Sequence, residues 1–381
     1  MRCITGDEVG LVKVFTIPND YELNPLNEEA PPELTMGKVR REQGIQYMCQ
    51  AKIFNGRNQI VVARNSGLVQ IIEPYKDGKM FKIYKEFINK EVAADVPKRS
   101  KKFPSKFTGL FANKNVLVTC VSGGTIRYQP INSGDFNNPS YIDKTIDYAS
   151  NLCCLRVHPK ENNIFACGGR ERDLSLWDIN CTPGSIITKN KESKNGMIWN
   201  GKNVKSDFVD LRVPIWITDI QFLDEQRTTK ILTGTKYHQV RLYDIKAQRR
   251  PVFEASVGHK AVVSLIVGQN PNEVIFSDTV GNIFTVDLRN GKNVGQYKGY
   301  PKGSFNSSYY IISSSLVTVS ADRFLRVHKI GEFHEQRYKV YLNHKLTCVL
   351  VNDDDEPIVE ETADLDDNRP RAKRRKTKSN E

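Results

Sequence analysis

Short runs of alternating apolar and polar residues recur seven times along this chain, each closing a turn-like stretch. They are VGLVKVFTI (9–17), NSGLVQIIEP (65–74), GGTIRYQPI (123–131), RDLSLWDI (172–179), YHQVRLYDI (237–245), VGNIFTVDL (280–288) and DRFLRVHKI (322–330). A period of two is the mark of a half-buried β-strand. Aligned on Phe15, Ile72, Gln129, Trp177, Tyr243, Val286 and His328, the copies carry Val12, Val69, Ile126, Leu174, Val240, Ile283 and Leu325 three residues earlier, apolar every time. The spacings from Tyr243 to Val286 and from Val286 to His328 match the roughly 40–45 residues of a four-stranded propeller blade. The pattern predicts an all-β protein, a seven-bladed β-propeller of repeat type.

Further short strands, bounded by Gly, Asn, Asp and Pro, fill the intervals. Blade 5 reads 217–222, 230–235, 239–245 and 251–256; blade 6 reads 262–267, 273–278, 282–288 and 294–298. Blade 4 reads 152–157, 164–169 and 174–179, with a weaker outer strand expected near Ser185–Thr188. Blade 1 opens on its second strand, RCIT (2–5), so its inner strand is expected at the other end, in KLTCVLV (345–351). Closing the ring with strands from both termini removes two open sheet edges. The propeller is therefore drawn over 1–351. The remainder, 352–381, is blocky in charge and poor in apolar residues, and is expected to be a disordered tail, acidic then basic.

Some residues match the WD-repeat form of the propeller. Trp177-Asp178 is the one literal pair, Tyr243-Asp244 and Val286-Asp287 are variants, Gly258-His259 precedes the inner strand of blade 6, and Asp322 stands in a turn. These are structural residues in expectation, since no nucleophile accompanies them.

Composition narrows the function. The net charge is +12, although 352–381 holds ten acidic residues against seven Lys and Arg, so the ring is more basic still. A field of that sign favours polyanionic partners. No apolar run is long enough for a membrane span, and the N-terminus does not have the features of a signal peptide. The eight cysteines form no C-x₂-C pair and fit buried thiols in a reducing compartment; the six histidines are scattered, so no metal and no cofactor is expected. No P-loop, H-E-x-x-H, G-x-S-x-G or paired-carboxylate arrangement occurs, and the chain is expected not to be an enzyme.

Three long insertions, 18–46, 88–106 and 189–216, are expected on one face of the disc, where outer strands lead to the next inner strand. Elaborated loops on a rigid scaffold usually carry binding. The second holds Lys98, Arg99, Lys101, Lys102 and Lys106, with Pro97 and Pro104 opposing helix. It is either a solvated loop or a contact for RNA or an acidic partner. The third mixes lysines with Trp199, Phe208, Leu211 and Trp216, and either packs on its own blade or anchors a partner. In the tail, Lys373, Arg374, Arg375 and Lys376 form a nuclear-import-like cluster.

The segments WNGKNVKSDFVDLRVPIWITDIQFL (199–223), TGTKYHQVRLYDIKAQRRPV (233–252) and FSDTVGNIFTVDLRNGK (276–292) resemble a family of nucleolar WD-repeat assembly factors of large-ribosomal-subunit precursors, the Nop-seven-associated WD-repeat proteins. The likeness covers essentially the whole ring. It implies a non-enzymatic scaffold in biogenesis of the large (60S) subunit and rRNA processing, in the nucleus and nucleolus. It implies contact with pre-60S assembly proteins, release assisted by an AAA-type ATPase, and a monomer outside the particle. The partner-binding candidates are Trp199, Lys202, Asn203, Lys205, Asp207, Asp210 and Arg212. Two other readings stand beside it: a propeller adaptor in another nuclear complex, and a direct RNA-binding module contacting rRNA.

Overall fold

The structure is a computed structural model of the chain. It describes residues 1–17, 32–54, 57–74, 81–95, 105–131, 144–147, 151–178, 196–206, 209–223, 229–297, 306–312, 315–331 and 334–352. Seven antiparallel sheets of four strands each form the blades of a propeller. Blade 1 combines Leu346–Asn352, Arg2–Asp7, Val12–Thr16 and Leu34–Met36, in that order from the axis outwards. The inner strand thus comes from the far end of the chain, and Cys3 pairs with Val351 and Ile4 with Leu350.

The repeat residues do the packing expected of them. Val12, Val69, Ile126, Leu174, Val240, Ile283 and Leu325 are all buried, at 1% exposure or less. They lie on third strands, sandwiched between neighbouring blades. Six of the seven anchor residues are buried too, Trp177 stacked on Phe165 among them; in blade 3 the buried residue is Tyr128, next to Gln129.

Blades taper towards the axis, and small residues on the second strands make that possible. Gly168 and Gly234 face the first inner-strand residue of the next blade, Ile217 and Val262. A Cβ on either glycine would stand 2.8 or 2.7 Å from those side chains, inside any tolerable contact. Near the axis the blades are also hydrogen-bonded to each other. Arg156 Nη2 donates to Asp219 Oδ1 (3.2 Å), and Asp219 Oδ2 accepts from Leu265 N (2.8 Å), so blades 4, 5 and 6 are joined in series.

Each inner strand carries one extra residue at its start. Pairing skips Gln46, Thr108, Cys153, Thr218, Val263, Ser307 and Thr347. These β-bulges bend the innermost strand where it enters the ring.

Of the WD-type pattern, the turn carboxylates do the most visible bonding. Asp7 Oδ1 accepts from Val9 N (3.1 Å) and Leu11 N (2.8 Å), and Asp278 Oδ1 accepts from Val280 N and Asn282 N (both 2.9 Å). Asp322 accepts from Phe324 N and pairs with buried Arg326. His259, by contrast, is exposed, so Gly258-His259 places no imidazole inside the sheet. The described cysteines are free thiols, and burial pushes those of Cys3, Cys120, Cys167 and Cys348 up to about 12.

The outer strand of blade 4 departs from expectation. It is Met197–Asn200, not a stretch near Ser185–Thr188, which lies outside the described residues. Leu176 pairs with Trp199 there, and the indole fits between blades 4 and 5. An apolar surface beside Tyr243 selects the Met-Ile-Trp run as the strand.

The closing pairing gives the first test. Removing Leu346–Asn352 should expose the facing sides of blades 1 and 7, including Phe15, Val317 and Tyr338. The expected outcome is loss of the cooperative urea transition, followed by tryptophan emission and circular dichroism. An unchanged transition would rule out closure by this strand.

Candidate upper-face interaction surface

Antiparallel strands sort the connections between two faces. Turns between second and third strands share a face, here called the upper one, with the links from each outer strand to the next inner strand. Two hydrogen bonds show this directly. Arg40 N, on the link from blade 1 to blade 2, donates to Val9 O in a blade 1 turn; Glu171 N, in a blade 4 turn, donates to Ile215 O on the link to blade 5.

The three insertions therefore do not share one face as expected. With the outer strand of blade 1 at Leu34–Met36, only 37–44 joins an outer to an inner strand on the upper face, and the acidic, Pro-rich part of 18–46 lies outside the described residues. With the outer strand of blade 4 at Met197–Asn200, the link to blade 5 on the upper face starts at 201, and 189–195 lies outside the described residues. The segment 88–106 alone joins an outer to an inner strand throughout. The position of a short fourth strand decides the face, and charge and proline content do not mark it.

Residues 88–106 begin with a one-and-a-half-turn helix, Lys90–Asp95, ahead of Pro97. Asn89 Oδ1 caps it by accepting from Glu91 N (3.1 Å) and Val92 N (3.3 Å), and Val92 is buried. Asp95 Oδ2 then accepts from Ser105 N (3.0 Å), which brings the two ends of the basic stretch to one point. Lys106 is exposed beside it. Lys98, Arg99, Lys101 and Lys102 lie outside the described residues, as do Asp207 and the tail cluster Lys373, Arg374, Arg375 and Lys376.

The segment 199–216 separates into packing and display. Trp199 is 9% exposed and meets Tyr243 edge-on, so its ring serves the seam between blades 4 and 5 and is not offered as an anchor. Asn203 is a clasp. Its Oδ1 accepts from Arg241 Nη1 (2.9 Å) and its Nδ2 donates to Val213 O (2.5 Å). Arg241 has no exposed side-chain surface; its guanidinium also reaches Glu254 Oε1 (3.1 Å) and Gln239 Oε1 (2.9 Å), which compensates its removal from water. Burial pushes the neighbouring Asp173 carboxyl up, against the pull of Arg212, Arg241 and Arg249. Lys202, Lys205, Asp210 and Arg212 are exposed, with Val209 and Leu211 beside them, and Arg212 forms a 3.5 Å ion pair with Glu171. Asp210 holds a positive φ of 59°.

Comparison with known proteins follows the same outline. A family described as "Nucleolar protein 10-like, N-terminal domain" matches residues 92–329, more than half of the chain. The chain belongs to that family. The nucleolar name agrees with the nuclear and nucleolar placement expected from the sequence. Among curated relatives, "WD repeat-containing protein 74" of Bos taurus is 29% identical over 357 residues, covering 92% of this chain and 82% of that protein. "Ribosome biogenesis protein nsa1" of Schizosaccharomyces pombe is 25% identical over 389 residues, covering 96% and 92%. A namesake from Meyerozyma guilliermondii is 30% identical over 214 residues, covering 50% and 53%.

In this chain the described residues of 201–216 are strapped to the ring at several points. Sequence reasoning missed the strap residues Arg241 and Glu171 because both lie in blade repeats, where they look like ordinary strand and turn positions. Among the described residues, no group of three or more His, Cys, Asp or Glu could hold a metal ion.

Asn203→Ala should leave Arg241 and the Val213 carbonyl short of a partner, at a cost of about 1–3 kcal/mol in urea unfolding. Arg212→Ala breaks a pair with both side chains at least half exposed. It should cost under about 1 kcal/mol. Equal losses for the two variants would refute the division between clasp and display.

Proposed function

We propose that the chain is a non-enzymatic assembly factor of the large ribosomal subunit, acting as a scaffold in pre-60S particles during rRNA processing. The observation that carries this is similarity along nearly the full ring to proteins named for ribosome biogenesis. The upper face supplies the means. Its exposed Lys202, Lys205, Asp210 and Arg212, next to Val209 and Leu211, combine charge with apolar area in the manner of a protein contact. Asn203 and Trp199 hold that segment in place. The basic stretch Lys98, Arg99, Lys101, Lys102 and Lys106 faces RNA or an acidic protein surface. Lys373, Arg374, Arg375 and Lys376 serve nuclear import. An AAA-type ATPase drives release, and the protein is a monomer outside the particle.

Sedimentation of nuclear extract tests the central reading: the chain should migrate with large-subunit precursors, and absence from those fractions would defeat it. Changing Lys98, Arg99, Lys101 and Lys102 to Glu should reduce that co-migration and flatten its dependence on salt. Wild-type behaviour across a salt series would make this loop a solvated surface only.

The import cluster has its own readout. Changing Lys373, Arg374, Arg375 and Lys376 to Ala should lower nuclear accumulation of a fluorescent fusion while leaving its thermal midpoint unchanged. Full accumulation in that variant would reject the cluster as the import signal.

A further inference from the structure

A half-buried tryptophan stands on the upper face where the strapped segment rejoins the ring. The backbone of Trp216 is held from both sides, by an antiparallel bridge to Arg170 and by Lys236 N donating to its carbonyl (2.8 Å). Ile215 before it and Ile217 after it are fully buried. The indole is thereby kept on the ridge between the upper turns of blades 4 and 5. Two exposed cations lie over its ring: Lys236 Nζ is 3.8 Å and Arg170 Cζ is 5.0 Å from the centroid. Neither forms an ion pair with a described carboxylate.

An indole needed only for packing would be buried among apolar side chains, as Trp199 is in the seam between blades 4 and 5. A fixed aromatic face with two exposed cations over it offers something else. An unstacked base lies flat on an aromatic ring, and the phosphates on either side of it meet the cations. An acidic peptide would use the two charges and leave the indole face idle. Double-stranded RNA keeps its bases stacked and shows no face to the ring. Lys38, Arg40, Arg41, Lys90 and Lys106, all exposed on the same upper face, extend the positive field around the ring.

We propose that Trp216, Arg170 and Lys236 form a binding site for single-stranded RNA, with one base on the indole and its flanking phosphates on the two cations. The Lys236 ammonium lies over the ring in the unliganded chain and exchanges that place for a phosphate when the base arrives. The site requires only the folded chain and RNA, so absence of the chain from ribosomal precursors would leave this inference standing.

The test titrates the purified full-length chain with a short oligouridylate, a polyphosphate of equal charge and a polyglutamate peptide. Of the three tryptophans, Trp177 and Trp199 are 2% and 9% exposed, so quenching of emission reports Trp216. Oligouridylate should quench saturably, and polyphosphate should not. Read by fluorescence anisotropy of an end-labelled oligouridylate, Trp216→Leu should weaken RNA binding about tenfold or more, and Trp216→Phe should restore most of it. Arg170→Gln and Lys236→Gln should each lower the slope of log affinity against log salt by about 0.7. Equal binding of oligouridylate and polyphosphate, with Trp216→Leu or Trp216→Phe making no difference, would overturn the proposal in favour of bare charge. Quenching by polyglutamate and not by RNA would overturn it in favour of an acidic peptide.

Discussion

The antiparallel pairing of Arg2–Asp7 with Leu346–Asn352 carries more of this structure than its few hydrogen bonds suggest. Each blade buries both of its faces against neighbours, and only a closed circle satisfies the first and last blade as well. The cluster formed by Phe15, Ile17, Val317, Leu325, Tyr338 and Val351 exists because blade 7 meets blade 1 across this closure. Polar groups are committed there too. Lys13, whose side chain is 7% exposed, donates from Nζ to Leu342 O (2.5 Å) and lies 3.5 Å from Asp7 Oδ2. Burial lowers its pKa, and Asp7 opposes that shift. A cation is tolerated in the seam because partners from both ends of the chain converge on it.

Closure in turn sets what the inside of the ring can hold. Seven flat-sided wedges meet near an axis, so the second strands must thin where they face the next blade. Gly168 and Gly234 meet that need with hydrogen in place of a side chain, against Ile217 and Val262. The seven bulges at the starts of the inner strands answer the same geometry by bending the chain into the ring. Arg156, Asp219 and Leu265 then link adjacent inner strands, which stiffens the scaffold from which the upper loops emerge.

A stiff ring makes its loops useful. The segment 201–216 has little regular structure, yet Asn203, Val213, Ile215 and Trp216 each bond to a blade or to the segment itself. Exposed Lys205, Asp210 and Arg212 stand between those fixed points, and tying down the backbone on either side lowers the entropy lost when a partner binds. The buried guanidinium of Arg241 is the price of one such point, offset by carboxylate and amide oxygens around it.

Much of this was legible in the linear pattern. The period-two runs, their apolar third-strand positions and a chain that starts on a second strand determined seven blades and a closure by both termini. A repeat needs only local alternation and spacing, which sequence states directly. The outer strands were less legible, being short and half-exposed, and the one in blade 4 was placed too early. That error moved part of 189–216 to the wrong face and made Trp199 look like an anchor, and the short outer strand of blade 1, at Leu34–Met36, had the same effect within 18–46. Bulges, clasps and seams were out of reach for a related reason. Whether Trp199 is buried and Trp216 displayed depends on which neighbouring blade stands opposite, and that neighbour is brought there only when the ring closes.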